Sequence, residues 1–136
     1  MNVRSMDGKN VFIFLCTQET EPECLEKQMV GTTQSNALWA ATIKAGDDIY
    51  LFNFNTRFLR GPYTATGGAD CYYPTAWRGA FPVQVKVAPI TAVTRVADGK
   101  ISTPSVLRKS KPSGNISKDA AELFSWIQQF GSDPKA

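Results

Sequence analysis

The stretch from residue 47 to residue 87 places the tightest constraint on how this chain folds. It contains three runs of β-branched and aromatic residues, separated by turns that glycine and proline mark. Its aromatic residues are Tyr50, Phe52, Phe54, Phe58, Tyr63, Tyr72, Tyr73, Trp77 and Phe81. Such a segment predicts a small, curved sheet lined with aromatic side chains. That architecture suits a binding surface better than a reaction centre.

Length and composition indicate one soluble domain that spans residues 1–136. The chain has 136 residues, of which 43% are hydrophobic and 20% are charged, and this balance is ordinary for a globular protein. No apolar run approaches the roughly 20 residues that a membrane span needs. The first residues, MNVRSMDGKN, lack the apolar core of a signal peptide. We therefore expect residence in the cytoplasm or the nucleus and no membrane partner.

The absence of histidine argues against catalysis and against a metal centre. It removes the commonest general base and most zinc and non-haem iron sites. The three cysteines, Cys16, Cys24 and Cys71, form no CxxC pair and are interpreted as packing residues. Asp47 and Asp48 are adjacent, so on a strand they face opposite ways and cannot act as a catalytic pair. The chain is predicted to be non-catalytic, without cofactor or metal.

Hydrophobic periodicity predicts five strands. They are Val11–Cys16, Ile49–Phe54, Phe58–Thr66, Val83–Val87 and Ile90–Val96. Gly61 and Pro62 interrupt the third strand, which indicates either a bulge or an edge position. Strict alternation in the fourth strand predicts that Gln84 and Lys86 face outward.

Two helices and a single helical turn, which Ser35 caps and which carries Leu38 and Trp39 to the core, complete the predicted α+β architecture. The first begins at Thr20, whose spacing to Glu23 is that of a capping box, and ends at Gly31. The second covers residues 117–130, with Ser117 as its cap. Its apolar stripe consists of Ala120, Leu123, Phe124, Ile127 and Phe130.

Five blocks of the sequence, in order, resemble the development and cell death (DCD) domain. They are VFIFLCT, ECLEKQMVG, IKAGDDIYLFNF, FLRGPYTATGG and PTAWRGAFPVQVKV, which cover residues 11–87. The resemblance implies a PUA-like small curved β-barrel with peripheral helices, related to the EVE and YTH domains. Many members of that wider group bind RNA or DNA, and some hold a modified or flipped base in an aromatic pocket. DCD domains themselves are associated with stress, development and programmed cell death, with protein partners proposed.

Aromatic and polar residues in the predicted loops are the candidate ligand-binding groups. Bases stack on aromatic faces, while amide and hydroxyl groups read the base edge. The candidates are Thr17, Asn36, Trp39, Asn53, Asn55, Tyr72, Tyr73, Trp77 and Arg78. For Trp39 and Trp77 core packing is the alternative, and the segment 55–57 is also read as a plain hairpin turn.

A basic flank supplies candidate phosphate contacts. Residues 80–118 carry Lys86, Arg95, Lys100, Arg108, Lys109, Lys111 and Lys118 against Asp98 as the only acid. From this flank and the hairpin we predict phosphate contacts by Arg57, Arg60, Lys109 and Lys111. The alternative for the flank is a solvated loop that lysines keep soluble.

These features favour a non-catalytic module that binds nucleic acid, either RNA or modified DNA, or a modified base, through an aromatic pocket with a basic flank. A protein-interaction adaptor in stress or cell-death responses is the alternative, because edge strands and rim aromatics also serve peptide recognition. The sequence pattern leaves the oligomeric state open.

Overall fold

The computed structural model describes residues 9–88, 93–95, 105–108 and 112–130. Its strands, in chain order, are β1 (Val11–Cys16), β2 (Met29–Thr32), β3 (Asp48–Asn53), β4 (Phe58–Thr64), β5 (Val83–Lys86), β6 (Val93–Arg95) and β7 (Gly114–Asn115). Its α-helices are α1 (Glu21–Lys27), α2 (Ala37–Ala40) and α3 (Ala120–Phe130). Short 3₁₀ turns occupy Gln34–Asn36, Ala76–Gly79, Ser105–Arg108 and Ser117–Asp119. None of these described helices has the length and apolar character to cross a bilayer.

Five strands form the main sheet, in the order β6-β4-β3-β1-β7. β1 and β3 are parallel and are paired along their whole length, from Val11 opposite Asp48 to Cys16 opposite Asn53. The remaining neighbours in this sheet are antiparallel. The central position of β1 and β3 explains their continuous apolar sequences, since both faces of these strands are covered.

The described strands do not close into the β-barrel that the resemblance implied. β2 and β5 form a separate two-stranded antiparallel sheet. The two sheets meet at one corner, where Ala65 bridges to Val87 just beyond the ends of β4 and β5. The fold is therefore mixed α and β, with an open main sheet and a smaller sheet joined to it.

Alternate residues of the central strands point into two separate cores. Phe12, Phe14, Ile49 and Leu51 pack towards α1 and the β2–β5 sheet. The residues between them pack on the other side against α3. The main sheet is thus a middle layer, and the segments 17–28, which contains α1, and 66–82 lie on the side of the first core.

The first helix is shorter than the sequence predicted. It ends at Lys27, and Gln28 follows in the left-handed conformation with φ 50°. Gly31 does not end the helix but lies inside β2. Thr20 is the N-cap residue by position, yet its side chain makes no cap hydrogen bond, because its Oγ1 accepts from the Thr17 backbone N–H at 2.8 Å.

β4 has neighbours on both sides, so the bulge is the correct interpretation of Gly61 and Pro62. The register with β3 shifts between Ile49 and Leu51. Gly61 has φ 137°, and a Cβ there would lie 2.8 Å from Cδ1 of Tyr50. Glycine is therefore required at this point of close approach.

The C-terminal helical region extends over residues 117–130, as predicted, but its first turn is a 3₁₀ turn and its cap differs. Ser117 does not cap its own helix; its Oγ accepts from the backbone N–H of Val11 at 2.9 Å. This bond ties the helix to the start of β1. Leu123 and Ile127 are buried against the sheet, whereas Phe124 is 44% exposed.

Candidate nucleic-acid interface

Trp77 is enclosed by the protein rather than open to solvent. Its side chain is only 5% exposed. The backbone N–H donates to Oε1 of Glu23 at 2.8 Å, and the indole Nε1–H donates to the Thr20 carbonyl at 2.9 Å. The ring also packs on Phe81, with ring centroids 5.3 Å apart. Trp77 thus joins residues 76–79 to α1 as part of the first core.

Two backbone features hold Trp77 in this position. Trp77, Arg78 and Gly79 have consecutive φ values of 51°, 56° and 82°, a conformation that non-glycine residues adopt only where the surrounding structure enforces it. Beneath the ring, a Cβ on Gly31 would lie 2.6 Å from Cζ3 of Trp77. The absence of a side chain at Gly31 therefore makes the space that the indole fills.

Two tyrosines and two lysines form a contiguous surface beside Trp77, which we call the tyrosine–lysine face: Lys27, Tyr72, Tyr73 and Lys86. Nζ of Lys86 lies 4.8 Å from the ring centroid of Tyr72 and 5.7 Å from that of Tyr73. Nζ of Lys27 lies 5.6 Å from the Tyr73 centroid. Tyr73 is 41% exposed, so its ring is accessible next to two positive charges.

A buried amide fixes the position of Tyr73. Gln84 is only 1% exposed, which corrects the prediction that it faces outward. Its Oε1 accepts from the Tyr73 backbone N–H at 2.8 Å, while its Nε2 donates to the carbonyls of Tyr73 and Phe81, each at 2.9 Å. Every polar group of the Gln84 amide is used, and the loop that carries both tyrosines is clamped to β5.

A cavity of about 290 Å³ adjoins this face, lined by Glu19, Thr20, Glu23, Trp77 and Arg78. Glu23 connects the two regions, since its Oε2 lies 3.8 Å from Nζ of Lys27. The Glu23–Lys27 ion pair therefore links the lining of the cavity to the tyrosine–lysine face. Sequence reasoning selected Trp77 and Arg78 but missed both glutamates, because an acid in a turn (Glu19) or on a helix surface (Glu23) carries no signal of its own.

The structure uses the polar groups of Thr17 and Asn36 within the fold. Oγ1 of Thr17 accepts from the backbone N–H groups of Glu19 and Thr20, each at 3.2 Å. Asn36 donates from Nδ2 to Oγ1 of Thr32 at 2.7 Å. Both residues shape loops, and neither contacts the tyrosine–lysine face in the described structure.

Asn53 and Asn55 have similar local roles at the β3–β4 hairpin. Asn53 is fully buried, and its Oδ1 accepts from the backbone N–H groups of Asn55 and Thr56 at 2.9 and 3.1 Å. Oδ1 of Asn55 accepts from the Gln18 backbone N–H at 3.1 Å. The hairpin is thereby joined to the loop that precedes α1.

The predicted phosphate contacts in the hairpin are engaged with the protein. Nε of Arg60 donates to Oε2 of Glu21 at 2.8 Å in a mostly buried ion pair. Arg57 donates to the Leu107 carbonyl at 3.0 Å and lies over the Phe52 ring at 4.8 Å. Lys109 and Lys111 lie outside the described residues.

Trp39 lies apart from the other aromatic candidates. It is half-buried on α2 and stacks on Phe12, with centroids 6.1 Å apart and planes at 17°. It also meets Phe14 edge-on at 5.1 Å. The structure brings Tyr72, Tyr73, Trp77 and Arg78 into one region and leaves Trp39 in a packing role at the margin of the core.

Two of the three cysteines are buried and poorly ionised. Burial, together with the nearby carboxylate of Glu21, raises the pKa of the Cys24 thiol to about 12. Burial likewise raises the pKa of Cys16 and of the Tyr63 phenol above their ordinary ranges. These groups are neutral at physiological pH, whereas Cys71 is an exposed free cysteine.

Solved structures that are similar to this fold include YTH domains. The crystal structure of the Mmi1 YTH domain superimposes with a TM-score of 0.66, covers 89% of each chain and shares 13% identity. The Mmi1 YTH domain in complex with RNA gives a TM-score of 0.62, covering 92% of this chain and 84% of that one at 11% identity. At these identities the likeness establishes the fold alone.

Sequence relatives identify the family. DCD domain-containing protein NRP-A of Glycine max is 33% identical over 84 residues, which are 56% of this chain and 23% of that protein. The B2 protein of Daucus carota is 31% identical over 84 residues, 56% of this chain and 41% of its own length. The chain thus matches less than half of either relative. Residues 10–105 match the development and cell death domain, a span that contains the predicted core of residues 11–87. The chain therefore belongs to the development and cell death domain family.

Proposed function

We propose that this chain is a non-catalytic module that binds single-stranded RNA on the tyrosine–lysine face. The observation that carries the proposal is the exposed Tyr73 ring, flanked by Lys27 and Lys86. Single-stranded nucleic acids are bound where aromatic rings stack with bases and neighbouring cations meet the phosphates. The RNA complex of a YTH domain with the same fold supports this choice of ligand.

The face is pre-organised, which favours binding. The Gln84 amide fixes the backbone at Tyr73, and the Tyr72 hydroxyl donates to the Gly68 carbonyl at 2.7 Å. The side chains that would meet RNA therefore lose little conformational freedom on binding. The positive charges on Lys27 and Lys86 come from different elements, α1 and β5, and the fold brings both to the Tyr73 ring.

The proposal differs from a pocket built on Trp77. Both N–H groups of Trp77 already donate hydrogen bonds within the protein. Its ring therefore supports the tyrosine–lysine face from the core and does not itself bind a base. Recognition of a modified base remains part of the proposal only at Tyr73, where an added methyl group would increase the apolar area that stacks. Oligonucleotides with and without methylated bases therefore belong in the same binding series.

Fluorescence anisotropy with a labelled single-stranded RNA of about 12 nucleotides, at two salt concentrations, tests the proposal. Tyr73→Ala should weaken binding by about 1–3 kcal/mol through loss of stacking. Tyr73→Phe is the matched control and should retain the affinity. Loss of binding in both variants would assign the effect to the hydroxyl and contradict stacking.

The lysines are tested through the salt dependence of the same binding. Lys27→Gln with Lys86→Gln should reduce the log–log salt slope by about 1.4, since each phosphate contact contributes about 0.7 for a single strand. Lys118→Gln is the control, because exposed Lys118 belongs to the layer on the opposite side of the main sheet. An unchanged slope in the double variant, or no association with RNA at low salt, would overturn the proposal in favour of a protein-binding adaptor.

A further inference from the structure

The cavity beside Trp77 offers a carboxylate and a guanidinium that the fold does not use. Glu19 and Arg78 both line it, and both residues are exposed. Within the part of the chain that the structure describes, neither side chain has a hydrogen bond or an ion pair. By contrast, Glu23 is committed to the Trp77 backbone N–H and lies near Lys27. The cavity thus presents one free anionic acceptor and one free cationic donor.

This pairing matches the two ends of a nucleotide. A carboxylate accepts hydrogen bonds at both oxygens, and guanine carries two adjacent donors, N1–H and the N2 amino group, on its Watson–Crick edge. Adenine, cytosine and uracil each place an acceptor next to their donor on that edge, and this acceptor would face the carboxylate. A guanidinium binds phosphate with two parallel hydrogen bonds.

We propose that this cavity is a guanine-selective subsite, in which Glu19 reads the base edge and Arg78 contacts the adjoining phosphate. The volume of about 290 Å³ accommodates one purine but not a large ligand. The proposal rests on the RNA-binding function above and adds sequence selectivity to it. Contacts through Glu23 and Lys27 link the cavity to Tyr73, so one base occupies the cavity while a neighbour stacks on the tyrosine.

The test compares uridine-rich RNAs of equal length that differ at one central position, which is guanine, inosine, adenine or uracil. The wild-type chain should bind the guanine oligonucleotide about 5- to 150-fold more tightly than the all-uridine one. Inosine, which lacks the N2 amino group, should lie between them. Equal affinity for guanine and uracil would overturn the subsite and leave RNA binding intact, whereas no binding to any of the four would overturn both proposals.

Two variants assign the selectivity to Glu19. Glu19→Gln should abolish the preference for guanine and leave the affinity for the all-uridine RNA unchanged or slightly higher. Glu26→Gln, which makes the same charge change at an exposed position of α1 outside the cavity, should retain the preference. If both variants shift all four affinities equally, bulk charge explains the effect and the subsite is refuted.

Arg78→Gln separates phosphate contact from base reading. It should weaken binding to all four oligonucleotides by the same factor and reduce the salt slope by about 0.7. A loss confined to the guanine oligonucleotide, or an unchanged slope, would contradict the role of Arg78. Melting temperatures of the three variants should equal that of the wild type, because the substituted side chains are exposed.

Discussion

The two sides of the main sheet are covered in different ways. On one side α3 packs Leu123, Ile127 and other apolar residues against the strands. In the described core on that side, only Tyr50 and Trp126 carry polar side-chain atoms. On the other side short elements meet, and buried polar groups such as Gln84 and Asn53 join them. The tyrosine–lysine face lies on this second side. A single amphipathic helix can cover a core by burying enough apolar surface. Short segments bury less surface each and are held by hydrogen bonds, and those hydrogen bonds also fix exposed side chains.

The largest effect should come from Trp77, which is buried on the second side of the main sheet, where polar groups join short elements. Trp77→Ala should reduce the free energy of unfolding by about 3–5 kcal/mol, because it removes a buried indole and the hydrogen bond from its Nε1–H to the Thr20 carbonyl. Leu123→Ala on the helix side should cost about 2–5 kcal/mol, so the two sides would prove equally necessary. Urea unfolding measures both. A cost below about 1 kcal/mol for Trp77→Ala would show that this side is not a core.

Gln84 tests whether side-chain hydrogen bonds hold the second side of the main sheet together. Gln84→Met keeps the length of the side chain but leaves the Tyr73 N–H and the Phe81 carbonyl without partners, at a cost of about 3 kcal/mol, while the Tyr73 carbonyl keeps its bond from the Ala76 N–H. It should also weaken RNA binding, since Tyr73 loses its fixed position. Gln18→Met, at an exposed position, should change stability by less than about 0.5 kcal/mol. Equal costs in the two variants would refute the clamp.

Gly31 tests the close approach of the indole to β2. Gly31→Ala should destabilise the fold by about 1–3 kcal/mol, because the new Cβ would overlap the Trp77 ring. Gly67→Ala is the control, since the nearest atom to a Cβ there is the Tyr72 hydroxyl oxygen at 3.7 Å. Unfolding curves followed by tryptophan fluorescence report both the stability and any displacement of the indole. Equal stabilities of the two variants would contradict the overlap.

Alkaline pH should weaken the same side through its buried thiols. In the folded protein the pKa of Cys24 is raised from 9.0 to about 12, so folding favours the neutral thiol. The stabilisation from the neutral thiol is complete below the pKa of the unfolded state and is lost as the pH rises from that value towards the folded pKa. At about pH 10 the loss in the free energy of unfolding is about 1 kcal/mol. Unfolding measured at about pH 8 and about pH 10 should therefore show a smaller pH dependence for Cys24→Ala than for the wild type. An identical dependence would contradict the assignment.

The strands were predictable because apolar runs and turn residues are local signals. β1, β3, β4 and β5 lie within a residue or two of their predicted limits. The exceptions have a tertiary cause. The alternating pattern of β5 predicts that Gln84 faces solvent. In the structure, the segment at Asp70 and the loop at Tyr73 cover Gln84 on that face.

Helix ends and caps were less predictable, because alternative partners compete for the same groups. Thr20 and Ser117 both have cap-like positions, but their hydroxyls bond to the backbones of Thr17 and Val11 instead. Phe124 falls in the apolar stripe by spacing and is nevertheless partly exposed, whereas Leu123 and Ile127 of the same stripe are buried. Such choices depend on what the rest of the chain brings near.

The residues of the candidate site also divide into those that local sequence signals predicted and those that only the tertiary structure brings together. Tyr72, Tyr73, Trp77 and Arg78 were found because they lie together in the sequence. Lys27 and Glu19 were missed, since they come from the first helix and the loop before it, and only folding brings them to residues 72–78. Arg57 and Arg60 resembled free cations in the sequence, but the fold pairs them with Leu107 and Glu21.

The sequence alone determined the family, the apolar strands of the central sheet and the aromatic character of residues 72–81. Those properties follow from local composition and from the order of blocks along the chain. Tertiary structure decided which rings are accessible: Trp77 fills the space above Gly31, while Tyr73 remains at the surface between two lysines. Burial is a property of what surrounds a residue. It could not be read from Trp77 itself, because the glycine that admits the ring lies on a distant strand.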